Sequence, residues 1–138
     1  METSTLHEIM EKENIVYLNH KLLYTRAAIV RYKDIVAIIV DKEKVKTKIS
    51  ENTVLIQELG HYFANAYYNP HSHDEFIGQM EQKADIVAWK KFFPYTEIQK
   101  LKKQGKTTAT AIAKHYQVEP NYMARCLNYY WKQFGDVF

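Results

Sequence analysis

The stretch TVLIQELGHYF, Thr53 to Phe63, decides how this chain is read. Leu55, Leu59, Phe63 and Ala66 recur at helical spacing and predict a core-facing stripe, with Gln57, Glu58 and His61 sharing another face. Side chains four apart on a helix can grip a metal ion between them, with an intervening glutamate beside it. The full pattern is His-Glu-x-x-His, in which two imidazoles one turn apart hold zinc and the glutamate takes a proton from the bound water. This chain carries the last four letters, Glu58-Leu59-Gly60-His61, and has Gln57 at the first. Glycine costs a helix interior about 1 kcal/mol relative to alanine, so Gly60 predicts a close approach of backbone or substrate.

The next helix extends the pattern. EQKADIVAWKKFFP, Glu81 to Pro94, sets Glu81, Ala84, Asp85 and Ala88 on one face, where two small residues let another helix pack closely. Glu81 is placed to be the third metal ligand. Asp85, one turn on, is placed to bond the far nitrogen of a ligand imidazole and fix its tautomer.

Outward from these helices the periodicity predicts a short helix over residues 3–13, then a β-rich block. Ile15 to Leu18 reads as a strand, and Ala27 to Tyr32 and Ile35 to Val40 read as β-branched runs joined by the two-residue turn Lys33-Asp34. Ser50 is the expected N-cap of a helix over 50–67, Asn69-Pro70-His71-Ser72-His73 a polar loop, and 74–92 the second long helix. Three shorter helices follow over 95–103, 107–116 and 120–134. The expected fold is α+β, zincin-like, with a small antiparallel sheet packed against several helices that include an active-site helix and a third-ligand helix. At 138 residues the chain has room for one domain, 1–138, with the C-terminal helices over 95–134 part of it.

Composition narrows the partners. A net charge of +3 with acidic and basic residues interspersed is too weak a bias for a dedicated polyanion binder, and the clusters Lys42 to Lys48 and Lys100 to Lys106 read as solvated faces. The longest apolar run, Ile35 to Val40, is six residues, so no membrane span is expected. A polar start without an apolar signal segment and a lone Cys126, at helical spacing from Met123, Leu127 and Tyr130, predict a cytoplasmic protein with a buried, inert thiol.

The order helix, β-block, QELGHYF, loop, EQKADIVAWKKFFP and C-terminal GKTTATAIAKHYQVEPNYMARCLNYY resembles the ImmA/IrrE family of zinc metallopeptidase-like proteins, from about residue 5 to 133. The resemblance implies catalysis by Glu58, zinc ligation by His61 and Glu81, and a supporting role for Asp85. It implies a protein substrate or partner, such as a helix-turn-helix transcriptional repressor, and a phage or mobile-element setting.

Gln57 stands where the family has its first histidine ligand. Its amide is neutral and poorly matched to zinc, so it is at best a weak ligand, and zinc is expected to be held weakly or not at all. His71 and His73, in the loop between the two helices, are the candidate replacement ligands. Two readings follow within one fold: a zinc endopeptidase, or a pseudopeptidase that binds a protein without cutting it. A third class, a helix-turn-helix DNA reader through residues 107–133, is suggested by Ala111, Ile112 and Ala113 on one helix, Val118 in the turn and Tyr122, Leu127 and Tyr130 on the next. Only Asn121 and Arg125 suit base reading, so nucleic acid is not the expected partner.

Overall fold

A computed structural model describes residues 3–69 and 71–135, so Met1 and Glu2 of the polar start and Pro70 of the expected loop lie outside the described residues. The elements are α1 (Thr3–Lys12), β1 (Ile15–Asn19), β2 (Ala27–Tyr32), β3 (Ile35–Val40), α2 (Lys48–Ala64), α3 (Asp74–Phe92), α4 (Tyr95–Lys103), α5 (Ala109–Tyr116) and α6 (Pro120–Phe134). This is the expected α+β arrangement.

The sheet is mixed rather than wholly antiparallel. β2 and β3 form the antiparallel hairpin, with Tyr32 opposite Ile35 and Lys33 taking a left-handed φ of 56° in the turn. β1 lies parallel to β3 on its other side, giving the order β1-β3-β2. The connection from β1 to β2 passes over the end of β3, where it is pinned by Asp41. That buried carboxylate accepts from the Leu22 N–H at 2.9 Å and the Glu43 N–H at 3.0 Å.

α2 starts three residues earlier than Ser50 would place it. Thr47 is the cap, its hydroxyl accepting from the Ser50 N–H at 3.0 Å, and Asn65 ends the helix in a left-handed conformation at φ 51°. Leu55, Ile56 and Leu59 put α2 into the core, and Leu6 and Met10 of α1 join the same buried cluster. That cluster continues through Trp89, Phe92 and Phe93 to Ile112, Met123, Cys126 and Tyr130. Cys126 is buried as expected, and burial pushes its thiol pKa well above the ordinary range.

Polar contacts tie α2 to the turn before α6. Thr53 Oγ1 accepts from the Glu119 N–H at 2.9 Å, and Asn52 Nδ2 donates to the Gln117 carbonyl at 3.0 Å. Arg26 forks onto Glu119 at 2.7 and 3.0 Å, fastening the start of β2 to the same turn. Buried polar groups satisfied in this way fix the register of the elements they join.

Candidate metal centre

α2 and α3 cross at Gly60. A Cβ there would stand 2.6 Å from the Ala84 carbonyl oxygen and 2.9 Å from the Ala88 Cβ. The close approach expected at Gly60 is therefore made by the backbone of α3, and the small Ala84 and Ala88 permit it.

One residue past this crossing, His61 is buried and faces Glu81 across the gap, with Nε2 at 3.2 Å from the carboxylate Oε2. Its other nitrogen, Nδ1, lies 2.7 Å from the Ala66 carbonyl and donates to it. A donating Nδ1 leaves Nε2 as the atom that would meet a metal. The Tyr68 hydroxyl donates to the second oxygen of Glu81 and its ring stands edge-on to His61, 5.9 Å between centroids.

Glu58 and Gln57 are partly buried on the same turn of α2, and neither has a hydrogen-bond partner among the described residues. Burial pushes the Glu58 carboxyl up, His61 opposes this and Glu81 adds to it, leaving a pKa of about 7. Burial pulls His61 down, but the hydrogen bonds to Glu81 and the Ala66 carbonyl and the charge of Glu58 outweigh it, raising its pKa to about 9. The bond to His61 holds Glu81 below the ordinary carboxylate value. In this state the pair is an imidazolium–carboxylate contact that joins the two helices.

Asp85 is buried beside the site, but its carboxylate is taken by Arg125 of α6. The bond to the far imidazole nitrogen that the sequence assigns to Asp85 is made by the Ala66 carbonyl instead. Helical spacing places Asp85 on the right face, but a chain that turns back at Asn65 brings a backbone acceptor nearer. Burial pushes the Asp85 carboxyl up despite the opposing Arg125 charge.

The two loop histidines do not join His61 and Glu81. His73 caps α3, with Nδ1 accepting the Glu75 N–H at 3.2 Å, and the exposed His71 has its backbone N–H on Asn69 Oδ1 at 2.8 Å. Among the described residues no group of three or more His, Cys, Asp or Glu side chains is placed to hold a metal ion.

Two zinc ligands at tetrahedral angles and ordinary bond lengths stand roughly 3.4 Å apart, so the 3.2 Å between His61 and Glu81 suits two of them. Gln57, one turn before His61 on α2, offers a neutral amide where the motif has its other imidazole. The donor set is therefore one imidazole nitrogen and one carboxylate without a third strong ligand, and it does not fit a complete catalytic zinc site.

Sequence reasoning missed the Ala66 carbonyl, Tyr68 and the role of Arg125. Tyr68 lies beyond the end of α2, outside the helical pattern, and Arg125 is 40 residues from the carboxylate it meets. A groove of about 350 Å³ opens beside Glu81 between α3 and α6, lined by Gly78, Asp85, Trp89, Arg125 and Tyr129 among others. Arg125 also lies over the Trp89 ring, 5.7 Å from its centroid.

No helix among the described residues is long and apolar enough to cross a membrane. No curated protein and no solved structure matches the chain significantly. Residues 10–128 match the peptidase family described as the IrrE N-terminal-like domain, a span that holds every element from the end of α1 into α6, and with it Glu58, His61, Glu81 and Asp85. The chain belongs to the IrrE N-terminal-like domain family and has its metallopeptidase fold.

Proposed function

We propose that this protein uses a metallopeptidase fold to hold a protein partner, with a zinc site impaired by Gln57. The observation that carries this reading is the donor set: His61 and Glu81 face each other at 3.2 Å, and the third position is an amide. Losing even an outer partner of a metal ligand costs about 10- to 100-fold in affinity or activity, and losing an imidazole ligand costs at least as much. The groove beside Glu81 receives a segment of the partner. The family resemblance points to a helix-turn-helix transcriptional repressor as that partner and to a phage or mobile element as the genetic setting. Arg125, one of two α6 side chains suited to reading bases, is half-exposed and has its charge engaged by the buried Asp85, which supports a protein over DNA.

A second reading, a zinc endopeptidase with Glu58 as base, is favoured by the spacing of His61 and Glu81 and by a Glu58 carboxyl left without a hydrogen-bond partner among the described residues. Metal analysis of protein purified without chelator, beside Gln57→His, separates the two. The first reading expects substoichiometric zinc in the natural protein and stoichiometric zinc in the variant. Stoichiometric zinc in the natural protein, together with fragments of an added repressor, would overturn it. Co-elution with intact repressor is the expected result for the partner, and no complex at micromolar concentrations removes the repressor from the proposal.

A further inference from the structure

Side chains alternate across a strand, so the register divides the sheet into two faces. Ile15, Tyr17, Ile29, Val36, Ile38 and Val40 point to the helices and belong to the core or pack against it. The other face consists of Val16 and Leu18 of β1, Ala28, Val30 and Tyr32 of β2, and Ile35, Ala37 and Ile39 of β3. A sheet with one solvated face ordinarily alternates apolar inward with polar outward. Here the outward set contains no charged side chain, and its one polar group is the Tyr32 hydroxyl.

We propose that this outer face is the interface of a homodimer, in which two copies pack sheet to sheet. Val16 is 43% exposed, Leu18 46%, Val30 46%, Ile35 60% and Tyr32 71%. With whole residues of roughly 150 to 220 Å² each, these fractions leave on the order of 500 Å² in water on each copy, near the top of what a monomer ordinarily exposes. Two copies face to face would remove up to about 1,000 Å² from these five residues, the lower bound for a biological interface, and the neighbouring surface adds to it. A second copy is the occupant that this chemistry suits. Interfaces between identical chains are the more apolar class, and the eight outward side chains carry no charge with which to select an acidic or basic partner. The Lys33 ammonium of the turn lies over the Tyr32 ring at one edge, 5.4 Å from its centroid. The small Ala28 and Ala37 sit between the larger Val16, Leu18 and Val30, so the surface offers ridges and a shallow trough to its own copy. The interface lies on the side of the sheet away from α2 and does not depend on the reading of the metal centre.

Sedimentation equilibrium of the full chain tests this, with circular dichroism to check folding. The natural protein is expected to associate to dimers in the micromolar range, and Val30→Lys/Tyr32→Lys to weaken association at least tenfold with an unchanged spectrum. Should that variant misfold, Ile35→Glu at the start of β3 carries the same expectation. Trp131→Gln, an exposed aromatic of α6, is expected to leave the dimer intact. A natural protein that stays monomeric at about 100 μM, a folded β2 variant that still dimerises, or a dimer dissolved by Trp131→Gln would each overturn the proposal.

Discussion

On α2, two sites one turn apart behave in opposite ways. At Gly60 the helix has no slack, because the carbonyl of Ala84 and the methyl of Ala88 occupy the space a side chain would need. At Gln57 and Glu58 the helix has polar side chains with no hydrogen-bond partner among the described residues. The first site is architecture: it fixes how α2 crosses α3 and so brings His61 to Glu81. The second is chemistry, and a change of one residue there leaves the crossing intact. The residue that fixes the crossing and the residues of the proposed metal site are different residues of one helix, so a change at Gln57 need not disturb the fold.

The largest effect is expected where the space is smallest. Gly60→Val drives a branched side chain into a backbone oxygen that cannot rotate away, so α3 must move. The expected cost is about 3 kcal/mol, the upper range for overpacking, with a fall in melting temperature on the order of 10 °C in a thermal unfolding experiment. A melting temperature within a degree or two of the natural protein would break the comparison, since the crossing would then be soft.

That crossing was legible in the sequence because glycine inside an amphipathic helix has a cost that packing must offset, and because Ala84 and Ala88 stood ready on the next helix. The meeting of His61 with Glu81 follows the faces that helical spacing gives α2 and α3, while the roles of Glu58, His61 and Glu81 rest on the family resemblance. What spacing could not supply was anything contributed by chain that is not helical or is distant in sequence. The Ala66 carbonyl reaches His61 only because Asn65 turns the backbone into the left-handed region, and Arg125 reaches Asp85 only through the packing of α6. Strand order was hidden for a related reason: an apolar run such as Ile15 to Leu18 has the same pattern whether its neighbour runs parallel or antiparallel. The cap of α2 went to Thr47 rather than Ser50 because both are good caps, and only the path of the preceding loop decides between them.

The chemical side of the comparison is sharpened by pH. Glu58 titrates at about 7 in the fold against an ordinary 4.5, so the folded state holds its proton more tightly than the unfolded chain does. Its ionisation therefore opposes folding: stability is unaffected below about pH 4.5, falls as pH rises towards 7 and stays reduced above it. Glu58→Gln, in metal-free protein, removes this cost. The same change removes an attraction to His61, which offsets part of the gain, so the net stabilisation at pH 8 is expected to be about 1 to 2 kcal/mol and to vanish near pH 4. Denaturant midpoints for the two proteins across that range are the measurement. A stabilisation independent of pH would show that Glu58 is not held at a raised pKa.

The smallest expected effect comes from a second glycine and has the opposite sign from the first. Gly78 lies inside α3, as Gly60 lies inside α2, but a Cβ on Gly78 meets nothing within 4 Å. Replacing it with alanine adds no clash and restricts the unfolded chain, so Gly78→Ala should stabilise the protein by about 0.5 to 1 kcal/mol. Helix propensity favours alanine equally at both positions, so the difference between Gly78→Ala and Gly60→Ala isolates the cost of the crossing. Paired denaturant titrations read that difference directly. If both alanine variants stabilise, the contact of α2 with α3 yields readily, and Gly60 is not what holds His61 opposite Glu81.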